Sequence, residues 1–163
     1  MDKKARSVAL GAILASTVTV ATMLSIPVPG FRLYFNLGEG IIYIVALMLG
    51  PTYGAACGGI GACLGDLVLG YPLWAPFTLL IKGTEGYVTG KIGRDHRKTA
   101  ILCGALVMIT GYSTMAGILY GWKAAPFELV TDLVQTGIGA TAALLLLPIL
   151  EKRVKGSIPL REK

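Results

Sequence analysis

Apolar segments of membrane-spanning length recur along nearly the whole chain, each closed by Gly, Pro or a short polar run. A bilayer core about 30 Å thick needs roughly 20 apolar residues per helix. Helices are predicted at about Ala5–Ile26, Leu37–Leu49, Thr52–Gly70, Pro76–Ile92, Ala100–Tyr120 and Phe127–Leu150. Six helices with tight connections use nearly all of the 163 residues and leave no room for a soluble catalytic domain. A content of 54% apolar and 15% charged residues is too apolar for a soluble domain of this size. The expectation is an all-α fold: a single integral membrane bundle of six transmembrane helices spanning residues 1–163.

The first segment follows Lys3, Lys4 and Arg6, as a signal peptide would. It has no convincing small-residue cleavage site and further spans follow, so it is expected to be retained. It carries two small-residue pairs at i,i+4, Gly11 with Ala15 and Ala12 with Ser16, and small residues let another helix approach closely. Gly54, Gly58, Gly61 and Gly65 thin one side of the third helix and call for a neighbour pressed against it.

The net charge of +6 could suggest nucleic acid, but the basic residues sit in short runs between apolar segments. With six spans, twelve Lys and Arg residues share one side with both termini and the 93–99 loop, while Arg32 and Lys123 lie opposite. The positive-inside rule then makes both termini cytoplasmic. The chain is expected to be a multi-pass protein of the cell membrane, with the bilayer and not nucleic acid as its surroundings.

That topology lines up the buried charges. Asp66 lies near the outer end of the third helix, Lys82 six residues after Pro76, and Asp132 six residues after Pro126. At 1.5 Å per residue all three fall roughly 8–9 Å below the outer mouth. Glu39 sits in the first turn of the second helix, where the helix dipole favours an acid. Asn36, Tyr34, Trp74 and Trp122 lie above this layer and Gln135 one turn below Asp132. Ionisable groups inside spans mark solute pathways or clasps between helices. Asn36, Glu39, Trp74, Lys82, Glu85, Trp122, Asp132 and Gln135 are therefore the candidate solute contacts. Asp66 with Lys82 is the candidate interhelical charge pair, and Lys82 with Glu85 (i,i+3) could also pair.

No catalytic constellation is visible. The single histidine, His96, falls in the basic 93–99 loop, and no paired histidines accompany an acid as zinc chemistry requires. Cys57, Cys63 and Cys103 have neither metal nor disulfide spacing. Gly86–Ile92 (GYVTGKI) resembles a phosphate loop only faintly, with the wrong glycine spacing and Ile92 where Ser or Thr belongs. Neither enzyme activity nor a metal or other cofactor is expected. Any transport must draw energy from a partner or an ion gradient.

Residues Asn36–Gly86 carry a resemblance. LGP at Leu49–Pro51, Gly58, Gly59 and Gly61, Asp66 with Gly70–Tyr71, Ala75–Pro76, and Ile81–Gly83 with Glu85–Gly86 together resemble the substrate-binding S components of energy-coupling factor (ECF) vitamin transporters. The nearest branch is the one named after the riboflavin component, which also holds relatives linked to hydroxymethylpyrimidine and pyridoxine. Gly38–Glu39 departs from the Gly-Asp found in many relatives. The resemblance implies capture of a water-soluble vitamin or similar small heterocycle from outside, under loops Phe31–Asn36, Tyr71–Ala75 and Gly121–Ala125. It implies docking on a transmembrane coupling subunit driven by two ATPase subunits. The docking face it implies is Ala12 and Ser16, with Gly11 and Ala15 as the other register. A stand-alone proton-coupled transporter using Asp66, Lys82 or Asp132, and a purely structural membrane subunit, are the competing possibilities.

Overall fold

The computed structural model describes residues 2–27 and 34–154. The predicted loop over 31–33 and the basic tail beyond Val154 lie outside the described residues. Six helices follow one another: α1 (Lys3–Met23), α2 (Gly38–Leu49), α3 (Pro51–Leu69), α4 (Ala75–Ile92), α5 (Arg97–Tyr120) and α6 (Ala125–Val154). Between α1 and α2 the chain forms a short antiparallel ribbon, β1 (Ser25–Pro27) with β2 (Tyr34–Asn36), in the register Ser25↔Asn36 and Pro27↔Tyr34.

The ribbon shortens the first helix relative to the expected Ile26. Pro27 biases the residue before it toward extended backbone and, lacking an N–H, cannot continue the helix. Other breaks fall where the sequence places them. Gly50 adopts φ +94° and Pro51 opens α3 at once, because proline suits the first helical position. Gly70, at φ +83°, ends α3 and donates its N–H to the carbonyls of Asp66 and Leu67.

Helices α1, α3, α5 and α6 are each long and apolar enough to cross a membrane; α2 is apolar but has 12 residues. Helix α4 is 18 residues long and inverted in character. Thr78, Lys82, Glu85 and Thr89 face the interior while Leu79, Leu80 and Tyr87 are exposed. Lipid makes that the favourable arrangement, since only the interior offers polar groups a partner.

Helix α2 runs through the middle of the bundle. One apolar cluster joins its Tyr43, Leu47 and Met48 to Ala100 and Ile101 of α5 and Ala143 and Leu147 of α6. A second joins its Ile42 and Val45 to Val18 of α1 and Cys57 and Ala62 of α3. Helices α3 and α4 meet along a glycine seam. A Cβ at Gly54 would lie 2.5 Å from the Gly86 carbonyl oxygen, and one at Gly58 would lie 2.8 Å from that of Lys82. The predicted neighbour of the glycine-thinned face is thus α4 along Gly54 and Gly58. At Gly61 and Gly65 it is α1, where a Cβ would meet Ala15, Val18 and Thr22. Thr19 of α1 also donates to the Gly61 carbonyl at 2.9 Å.

Candidate functional site

The polar centre lies toward the end of the bundle that holds the ribbon and the 70–74 and 121–124 turns. Lys82 of α4 is its hub. The ammonium pairs with Glu39 of α2 and with Glu85 Oε2 at 3.1 Å, one turn along its own helix. Lys82, Glu39 and Glu85 are 2%, 1% and 0% exposed.

Glu39 reaches the lysine because of where α2 begins. Asn36 Oδ1 accepts the Gly38 N–H at 2.9 Å and shapes the helix start. Gly139 of α6 leaves space for the acid, since a Cβ there would lie 2.7 Å from Glu39 Cβ. Gln135 spans both features: its Oε1 accepts the Asn36 N–H at 2.8 Å, and its Nε2 lies 3.4 Å from Glu39 Oε2. Asn36 and Gln135, predicted as solute contacts, thus also hold the ribbon and the first turn of α2 in place.

An aromatic wall stands beside the lysine. Trp74 is buried, and its Nε1 donates to the Tyr120 hydroxyl at 2.8 Å. Its ring centroid is 5.7 Å from that of Tyr112 and 6.0 Å from that of Tyr120. The Tyr112 hydroxyl donates to Thr78 Oγ1 at 3.0 Å, and Lys82 Nζ sits 5.5 Å from the Tyr112 centroid. The cation therefore has carboxylates on one side and a π face on another.

On the facing side, Glu128 and Asp132 occupy successive turns of α6 and are both buried. Both lie within electrostatic reach of Lys82. Each keeps one carboxylate oxygen, Glu128 Oε2 and Asp132 Oδ2, without a hydrogen-bond partner among the described residues. Among these residues five carboxylates (Glu39, Asp66, Glu85, Glu128, Asp132) and one lysine are buried.

Beside the predicted pair of Lys82 with Asp66, the structure brings Lys82 to Glu39 as well as to the expected Glu85. Depth alone suggested Asp66, whereas α2 packs directly on α4 and delivers Glu39. Asp66 is itself buried, and its backbone carbonyl accepts the Tyr71 N–H at 2.8 Å. Trp122 is 70% exposed, its ring laid against Gly117 of α5.

The predicted docking registers of α1 also separate. Ala12 and Ser16 are exposed, with Ser16 Oγ bonded to the Ala12 carbonyl at 2.9 Å. Ala15 is buried, and a Cβ on Gly61 would lie 2.6 Å from its carbonyl, while Gly11 accepts from Cys57 Sγ. Gly11 and Ala15 thus belong to the α1–α3 contact.

Tyr43, Thr78, Tyr112, Tyr120 and Glu128 join the site without having been singled out in the sequence. Glu128 carried a signal: it is four residues before Asp132 and so on its helical face. The tyrosines carried none, since apolar periodicity does not say which aromatics turn inward. A hollow of about 520 Å³, lined mainly by Phe77, Leu80, Ile81, Val107 and Met115, opens between α4 and α5 apart from this cluster. Among the described residues no group of His, Cys, Asp or Glu is arranged to hold a metal ion.

A bundle with lipid-compatible helices and a buried charged centre with aromatic rings beside it defines a membrane-embedded protein that turns its polar groups inward. The comparisons narrow the class. The family model for the ECF-type riboflavin transporter, S component, matches residues 2–152. An "Uncharacterized protein in gap 3'region" of Pyrococcus woesei is 41% identical over 143 residues, covering 84% of this chain and 96% of that protein. The thiamine precursor transporter HmpT of Lactococcus lactis subsp. cremoris (strain MG1363) is 31% identical over 140 residues, covering 85% and 82%. The chain belongs to the ECF-type riboflavin transporter S component family. It is a vitamin-binding transport subunit and not an enzyme.

Proposed function

We propose that this S component captures a small heterocycle of the thiamine-precursor type, hydroxymethylpyrimidine or a pyridoxine-like ring, from outside the cell and presents it for ATP-driven uptake. One observation carries the reading: a buried lysine held between glutamates stands beside the Trp74–Tyr112–Tyr120 wall. A flat ring can stack on such a wall while its polar edge meets the charges. The likeness to a thiamine precursor transporter favours a ring smaller than riboflavin. Glu39, Lys82, Glu85, Asp132 and Gln135 are the proposed polar contacts and Trp74 the stacking one, with Asn36 shaping the rim. The exposed Ala12–Ser16 face of α1 is the proposed seat of the coupling subunit, which two ATPases drive. The proposed orientation has both termini in the cytoplasm and the site opening outward across the plasma membrane.

Titration calorimetry of the purified protein with hydroxymethylpyrimidine, pyridoxine, thiamine and riboflavin tests this. Submicromolar binding of one of the two smaller rings is expected. Absence of tight binding across the panel sinks the proposal. The unpartnered carboxylates of α6 favour a second reading, a proton-coupled transporter acting alone. Uptake into vesicles that lack the coupling module would establish it in place of the first.

A further inference from the structure

The site is short of hydrogen-bond donors, and the shortage is localised. Lys82 is occupied by Glu39 and Glu85. Glu128 and Asp132 lie beyond that triad, 8% and 4% exposed, each with a partnerless carboxylate oxygen. The Tyr43 hydroxyl is fully buried beside Glu39 and Glu85, so those acids already have a neighbour that Glu128 and Asp132 lack. Buried carboxylates are retained where something satisfies them, because an unmet charge in a dry interior costs several kcal/mol. An anionic solute would worsen the shortage, and a solute presenting only carbonyl acceptors would face carboxyl oxygens. A solute with N–H donors beside a basic ring nitrogen relieves it through charge-assisted hydrogen bonds.

We propose that Glu128 and Asp132 form the specificity edge of the solute site and select a donor-bearing heterocycle, an amidine-like 4-aminopyrimidine edge, over its 4-oxo counterpart. The inference rests on the solute-capture function proposed above. Placed on successive turns of one helix face, the two acids present oxygens side by side. One accepts an N–H of the exocyclic amine, and the other shares a proton with the ring nitrogen. The Trp74 indole supplies the stacking face for the same ring, with Tyr112 tilted beside it. The 4-oxo analogue has the same size and stacking surface but replaces the exocyclic N–H donors with a carbonyl acceptor, keeping only a ring N–H for the acids. A site built for hydrogen bonds rejects a ligand that cannot make them far more strongly than it rejects one of slightly wrong size.

Calorimetry with 4-amino-5-hydroxymethyl-2-methylpyrimidine and its 4-oxo analogue tests this on the unaltered protein. The amino compound is expected to bind roughly 100-fold tighter. Asp132→Asn and Glu128→Gln should each lower that preference to about 10-fold or less. Both variants should also melt no lower than the parent without ligand, since each alters an acid oxygen that holds no hydrogen bond in the bundle. Loss of the preference with an unlowered melting point separates ligand selection from a structural clasp, whose removal would lower the melting point. Equal affinity for the two pyrimidines, or an undiminished preference in both variants, overturns the specificity edge and leaves solute capture standing. Failure of the protein to bind any vitamin of the wider panel removes both.

Discussion

Replacing Lys82 with methionine keeps the length of the side chain and removes its charge. Glu39 and Glu85 are then left facing each other, with no other lysine or arginine paired to them among the described residues. Removing one partner from a buried ion pair costs about 3–5 kcal/mol, most of it the penalty for the orphaned charge. For a chain of this length 1 kcal/mol moves a melting temperature by about 2–4 °C. Lys82→Met should therefore melt roughly 6–20 °C below the parent protein in the same detergent. Combining it with Glu39→Gln and Glu85→Gln replaces the triad by neutral groups of similar shape and should recover most of that loss. Solute binding should stay lost in the combined variant, because its polar edge no longer meets any charge of the triad. A Lys82→Met protein melting within about 2 °C of the parent, or a combined variant no more stable than the single one, would refute the account.

Two further predictions follow from packing. A Cβ at Gly86 would overlap the Gly54 carbonyl, whereas at Gly83 its nearest neighbour is 3.6 Å away. Gly86→Ala should lose about 1–3 kcal/mol or more and Gly83→Ala almost nothing, read as the difference in thermal melting; equal effects would refute the seam. On α1, Ala12→Trp or Ser16→Trp should abolish pull-down of the coupling subunit while solute affinity is kept. Ala15→Trp should instead destabilise the bundle by driving α1 off Gly61 of α3. Intact pull-down by both exposed-face variants would exclude that face.

The number and places of the helices were legible because lipid demands long apolar runs and Gly and Pro end them. Inward polarity on α4 was legible too, since Lys82 and Glu85 one turn apart belong to one face. Glu39 as the partner of Lys82 was not. The two are 43 residues apart, and an acid in a first turn is equally well explained by the helix dipole. The ribbon escaped notice because its three-residue strands fall below any periodicity signal. Trp74 and Trp122 have the same side chain and neighbouring turns; only the packing of α5 buries one and leaves the other out.

The glycine seam has a consequence for how such a protein can diversify. Along Gly54 and Gly58 the backbones of α3 and α4 touch with no side chain between them, and the Lys82 carbonyl is itself part of the contact. The position of the lysine is thus welded to the scaffold, and a mutation that moves it separates two helices. Glu128, Asp132 and Gln135 hang from α6 as side chains, outside the seam between α3 and α4. Under the proposed function, a lineage built on this frame changes its vitamin by rewriting α6 one residue at a time, while Lys82 stays where the seam holds it.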